Sequence, residues 1–112
     1  MLHATPPFPP GRPRRFRATV HGTVFGGRER LLARIVEGDP LRLVADPPGH
    51  DAPGVWVHLA SGDPIGHLPP EIAHWLWPWL GGGGHAGAVA VHVGGKGEPS
   101  WRRVILEVVC LD

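Results

Sequence analysis

His50 and Asp51 sit side by side in the stretch "PPGHDAPG", residues 47–54, between the apolar runs "LRLVA" and "VWVHLA". Two residues suffice to turn between such strands, so an eight-residue loop around a His-Asp pair marks a candidate site. A carboxylate accepts a hydrogen bond from a sugar hydroxyl and repels a backbone phosphate, so Asp51 suits the end of a nucleic-acid strand rather than its interior. His50 can stack on a base or donate to its edge, Phe25 or Trp56 can supply an aromatic platform, and Arg28 or Arg30 can neutralise the flanking phosphate. His67, in "IGHL", completes the candidate set. The plainer alternative is that Asp51 caps its own turn and His50 rests on the sheet.

Other chemistries find no support in the spacing. Among eight histidines there is no HExxH pattern and no cysteine pair; His67, Glu71 and His74 fall across a strand-to-helix junction, so no metal site is expected. "GGKG" lacks the spacing and following helix of a P-loop, and "GTVFGG" departs from the dinucleotide fingerprint, so no cofactor is expected. Ser61 and Ser100 lie in turns with no visible activating base. The chain reads as a non-enzymatic binding module.

The elements that must position these residues follow from composition and periodicity. With 112 residues, 17 glycines, 14 prolines and many short apolar runs, the chain predicts one β-rich domain rather than a helical bundle. Residues 1–15, rich in proline and arginine, read as a flexible arm, and 16–112 as the domain. The formal charge of +1 hides an asymmetry, because Arg12, Arg14, Arg15 and Arg17 precede a remainder with seven basic and ten acidic residues, net −3.

"FRATVHGTVF" alternates Phe16, Ala18 and Val20 on one side until Gly22 bends it. Leu31, Leu32, Ile35 and Val36 follow helical spacing, predicting a short helix over 28–37 that stops at Gly38. "LRLVA", "VWVHLA" and "IGHL" form a meander, with Trp56 and His58 on the displayed side of the middle strand. Pro70 opens a second helix that buries Ile72, Leu76 and Trp75 or Trp79, and Pro78 should end it near Trp77. After a flexible tetraglycine, "HAGAVAVHV" and "WRRVILEVVCL" pair around "GGKGEPS", with Cys110 packing inward. Six strands and two short helices predict a mainly β, OB-like or SH3-like barrel, partly or fully closed.

The run "GDPLRLVADPPGHD", then "VWVHLASGDPIGHLPPEIAHWLWPWL", resembles the HIRAN domain, a module of SNF2-type DNA translocases that also occurs alone in bacterial proteins. The shared pattern is an apolar strand, a proline-rich loop ending in His/Tyr-Asp, an alternating strand, a Gly-His/Tyr-Leu/Ile step and a helix of the form x-E-x-A-x-x-L-x-P-x-L, over about residues 16–110. The resemblance implies a β-barrel that binds single-stranded DNA at a 3′-hydroxyl end. By position His50 takes the place of the aromatic residue before the aspartate, Asp51 that of the end-sensing carboxylate and Phe25 that of a stacking aromatic. Val24 stands where the DNA-binding members place an arginine, Pro53-Gly54 where Asn-Ala is usual, and the loop is one residue shorter.

A second expectation is a protein-interaction or regulatory barrel, motivated by Trp75, Trp77, Trp79 and Trp101 in so short a chain. No apolar run approaches the ~20 residues of a membrane span, and the start lacks the apolar core of a signal peptide, so a cytoplasmic protein without membrane contact is expected.

Overall fold

The computed structural model describes residues 6–24, 26–46 and 54–111. Six antiparallel strands carry the alternation anticipated above: β1 (Arg15–Thr19), β2 (Pro40–Ala45), β3 (Val55–His58), β4 (Pro64–His67), β5 (His85–Val93) and β6 (Val104–Leu111). They form one curled sheet in the order β1-β6-β5-β2-β3-β4. The two edges meet just past β1, where His21 and His67 exchange backbone hydrogen bonds of 2.8 and 2.9 Å. This bridge turns an open sheet into a small half-barrel and covers part of two otherwise bare edges. Register shifts at Val57/His58 and Ala90/His92 add the local bend that such curling needs.

Closure depends on Gly66. A β-carbon there would run into the His21 carbonyl oxygen and come within 2.7 Å of Val20 Cγ1, so only glycine lets β4 lie this close to the end of β1. Inside, Val20, Val55, Val57, Ile65, Leu68, Leu76, Val104, Leu106 and Val108 are fully buried.

Helix α1 spans only Glu29–Leu32, shorter than the helix expected over 28–37. Beyond Leu32 the chain makes i→i+3 turns, Asp39 Oδ2 accepts from the Val36 N–H at 2.9 Å, and Val36 turns out to solvent at 66% exposure. The carboxylate competes for a backbone donor that helix propagation needs. Leu32 and Ile35 still reach the core, and Glu29 holds the buried Arg103 guanidinium at 2.9 Å.

Helix α2 runs from Pro70 to Gly81, straight through Pro78, where the sequence predicts a stop. The proline removes the N–H that would serve the His74 carbonyl, and both residues lie on the exposed side of the helix. Past it, Trp79 is only 4% exposed and Leu80 packs on the core, which holds the last turn in place. The tetraglycine is a helix cap: Gly83 N–H donates to Leu80 O at 3.2 Å and Gly84 N–H to Trp79 O at 2.8 Å, with Gly83 at φ 111°. Gly84 lies flush against the Trp79 indole, where any side chain would collide.

Residues 6–14 of the Pro/Arg-rich segment lie against this helix. Phe8 meets Trp79 and Trp75 edge-on at 5.1 and 6.0 Å, Arg14 stands 4.5 Å over Phe8, and Arg12 stands 5.5 Å over Trp75. The Arg14 carbonyl accepts from Cys110 N–H and so extends the β1–β6 pairing backward.

Candidate nucleic-acid interface

Trp56, His67 and His21 share the outward face because Trp56 and His67 take outward positions on β3 and β4, His21 continues the outward alternation of β1 just past its end, and each is directly opposite the next in register. Trp56 meets His67 edge-on at 5.8 Å, and the His67 and His21 rings lie 6.2 Å apart. His21 Nε2 and Thr19 Oγ1 are hydrogen-bonded at 2.9 Å, which adds the outward side of β1 to the row. His67 Nδ1 donates to the Leu68 carbonyl at 3.1 Å, leaving Nε2 beside Gly22.

Arg28, at the start of α1, closes over this row. Its guanidinium carbon lies 5.0 Å from the Trp56 ring centroid and Nη1 donates to the Gly22 carbonyl at 2.8 Å. The cation is thus held over the π-face by a backbone acceptor, and among the described residues it pairs with no carboxylate. Beside it is a shallow, largely apolar pocket of about 290 Å³ lined by Arg28, Val44, Asp46, Trp56, His58 and Pro64. Burial lowers the His58 pKa, Arg42 opposite it on β2 lowers it further, and Asp63 partly opposes both.

Of the residues expected from sequence, the fold brings Arg28, Trp56 and His67 together. Arg30 is exposed, with its guanidinium beside Gly27 and outside this group. Phe25, His50 and Asp51 lie outside the described residues. The stems of the His-Asp loop are described: Asp46 N–H donates to Gly54 O at 2.8 Å, Trp77 Nε1 donates to the Asp46 carbonyl, and Asp46 itself lines the pocket. The loop therefore leaves and rejoins the sheet at the edge of the Trp56 pocket.

His21 and His58 read from sequence as ordinary strand imidazoles. Their outward alternation was visible, but their partners across the sheet were not. The tryptophans of α2 do not form an exposed patch: Trp79 is buried, Trp75 and Trp77 are half-buried against Phe8, Phe16 and Asp46, and Trp101 alone of the four is exposed, at 55%. No three His, Cys, Asp or Glu side chains converge among the described residues, and no helix there is long and apolar enough to cross a membrane.

The chain matches no family model, no curated protein and no solved structure.

Proposed function

We propose that this chain is a non-enzymatic nucleic-acid-binding module of the HIRAN type that takes the 3′-hydroxyl end of single-stranded DNA on the outward face of β3 and β4. One arrangement carries the reading: Arg28 over Trp56 at 5.0 Å, with His67 edge-on at 5.8 Å, beside a pocket of about 290 Å³. Unstacked bases are held by aromatic faces and by guanidinium planes, and this group offers both. The Arg28 charge suits the phosphate that follows the stacked base. Asp51, in the loop that springs from Asp46 and Gly54, is the proposed acceptor for the terminal hydroxyl on the strength of the sequence. The single cysteine is buried, burial pushes its thiol pKa up, and it has no disulfide partner, which fits the reducing cytoplasm.

Fluorescence anisotropy with short single-stranded DNAs differing only in a 3′-hydroxyl or 3′-phosphate, at fixed salt, tests the reading. The hydroxyl end is expected to bind tighter, Asp51→Ala to erase the preference, and Trp56→Ala to weaken both ligands about tenfold, as loss of one base stack implies. Equal binding of both ends, steeply salt-dependent and indifferent to Trp56, would assign the contact to the N-terminal arginines instead. Absence of binding would favour a protein partner, for which the exposed Trp101 is the available anchor.

A further inference from the structure

The outward row continues beyond Trp56. On β1, Arg15, Arg17 and Thr19 face out while Phe16 and Ala18 face in, and His21 extends the row past the strand. The His21–His67 bridge joins it to Trp56. Past Thr19 the same face opens into a second, more polar cavity of about 600 Å³, lined by Arg17, His92, Glu98, Arg102 and Ile105.

Among the described residues, the carboxylate that lines this cavity, Glu98, and the one beside Arg17, Glu107, are already engaged. Glu98 accepts from His92 Nε2 at 2.9 and 3.0 Å, and Glu107, opposite Arg17 in the register, is bound by Arg15 Nη1 at 2.7 Å. Among the described residues Arg17 and Arg102 form no ion pair and no side-chain hydrogen bond. Arg102 instead stands 5.8 Å from the exposed Trp101 ring. Arg102 thus links the cavity, which it lines, to the Trp101 indole next to it in the chain, a guanidinium near an indole as at Arg28 and Trp56.

We propose that Arg17, Arg102 and Trp101 form a second subsite for the same DNA strand, which runs from Trp56 across His67 and His21 and along β1. The proposal rests on the reading of the Trp56 pocket as a nucleic-acid site. Two strand spacings and four residues of β1 make a path of ~23 Å, in keeping with the lower end of the ~4–16 nucleotides that a small barrel covers. With the 3′ end at Trp56, the nucleotides on its 5′ side meet Arg17 and Arg102. Phosphates there find two cations without having to break an internal ion pair.

The test is a length series of single-stranded DNAs of three, six and nine nucleotides sharing one 3′-hydroxyl end, titrated into the wild-type chain and into Arg17→Glu/Arg102→Glu. These side chains are exposed, so the fold tolerates the change, and circular dichroism checks it. The three-nucleotide ligand is expected to bind both proteins equally. Extension to six should tighten wild-type binding about tenfold, with little gain to nine, and should gain nothing in the double variant. The slope of log K against log salt for the six-nucleotide ligand should fall by about 1.4 in Arg17→Ala/Arg102→Ala, two phosphate contacts' worth. Trp101→Ala should remove part of the length gain. A length gain that survives charge reversal, or no gain in the wild type, overturns the second subsite and leaves the Trp56 pocket standing. Failure of all three lengths to bind overturns the Trp56 reading, and the subsite with it.

Discussion

Arg28 stands over Trp56 with its guanidinium carbon 5.0 Å from the ring centroid, and the same side chain donates to the Gly22 carbonyl at 2.8 Å. One residue therefore fastens the segment after β1 to the middle of the meander and presents a positive charge on the proposed binding face. Arg28→Ala is expected to lose both functions: about 1–2 kcal/mol of stability by urea denaturation, the worth of a hydrogen bond and a cation–π contact, together with weaker DNA binding. Arg28→Lys should recover part of the affinity through its charge and little of the stability, because an ammonium lacks the planar fork.

Gly66 decides whether the sheet edges meet. Gly66→Ala places a β-carbon against the His21 carbonyl and 2.7 Å from Val20 Cγ1, so it is expected to cost about 2–4 kcal/mol and to open the His21–His67 bridge. Hydrogen exchange at the His21 and His67 amides should accelerate more than at the centre of β6, whose pairing with β1 and β5 does not pass through the bridge.

Phe8 ties residues 6–14 to α2 through its edge-on contacts with Trp75 and Trp79. Phe8→Ala should destabilise the domain by about 1–2 kcal/mol, reflecting a half-buried ring and two aromatic pairs, and should change the near-ultraviolet circular dichroism of the tryptophans. Unchanged stability would mean that this segment does not contribute to the folded domain.

His58 carries a pH dependence whose sign is fixed. Its pKa lies below the ordinary 6.5 in the folded state because of burial first and Arg42 second, so the unfolded chain binds the proton more readily. Its contribution is complete above pH 6.5 and is lost as the pH falls through the depressed folded value. Denaturation midpoints measured between pH 7.5 and 5 should therefore decline less steeply in His58→Gln than in the wild type, and a parallel decline would remove His58 as the cause.

Which way most side chains point was legible in local residue patterning. Period-two alternation put Val55 and Val57 inside and Trp56 and His58 outside, assigned Phe16, Ala18 and Val20 to one face of the first strand, and paired β5 with β6 across "GGKGEPS". Such patterns are local, and each strand carries its own. Helix limits were less legible: Pro78 is a stop in isolation, yet burial of Trp79 and packing of Leu80 outweigh one missing hydrogen bond. Asp39 shortened α1 by taking the Val36 N–H, a competition that helical spacing alone does not reveal.

Tertiary structure alone decided which outward residues meet. His21 and His67 lie far apart in the chain and touch only because Gly66 lets the edge of β4 reach the end of β1; Arg28 reaches Trp56 only because the turn after β1 folds over the same face. Arg17 and Arg102 share a cavity for the same kind of reason, since β6, between β1 and β5, carries Ile105 into it. Side-chain direction is set by neighbouring φ and ψ angles, whereas juxtaposition is set by register and edge closure, which depend on hydrogen bonds between residues distant in sequence.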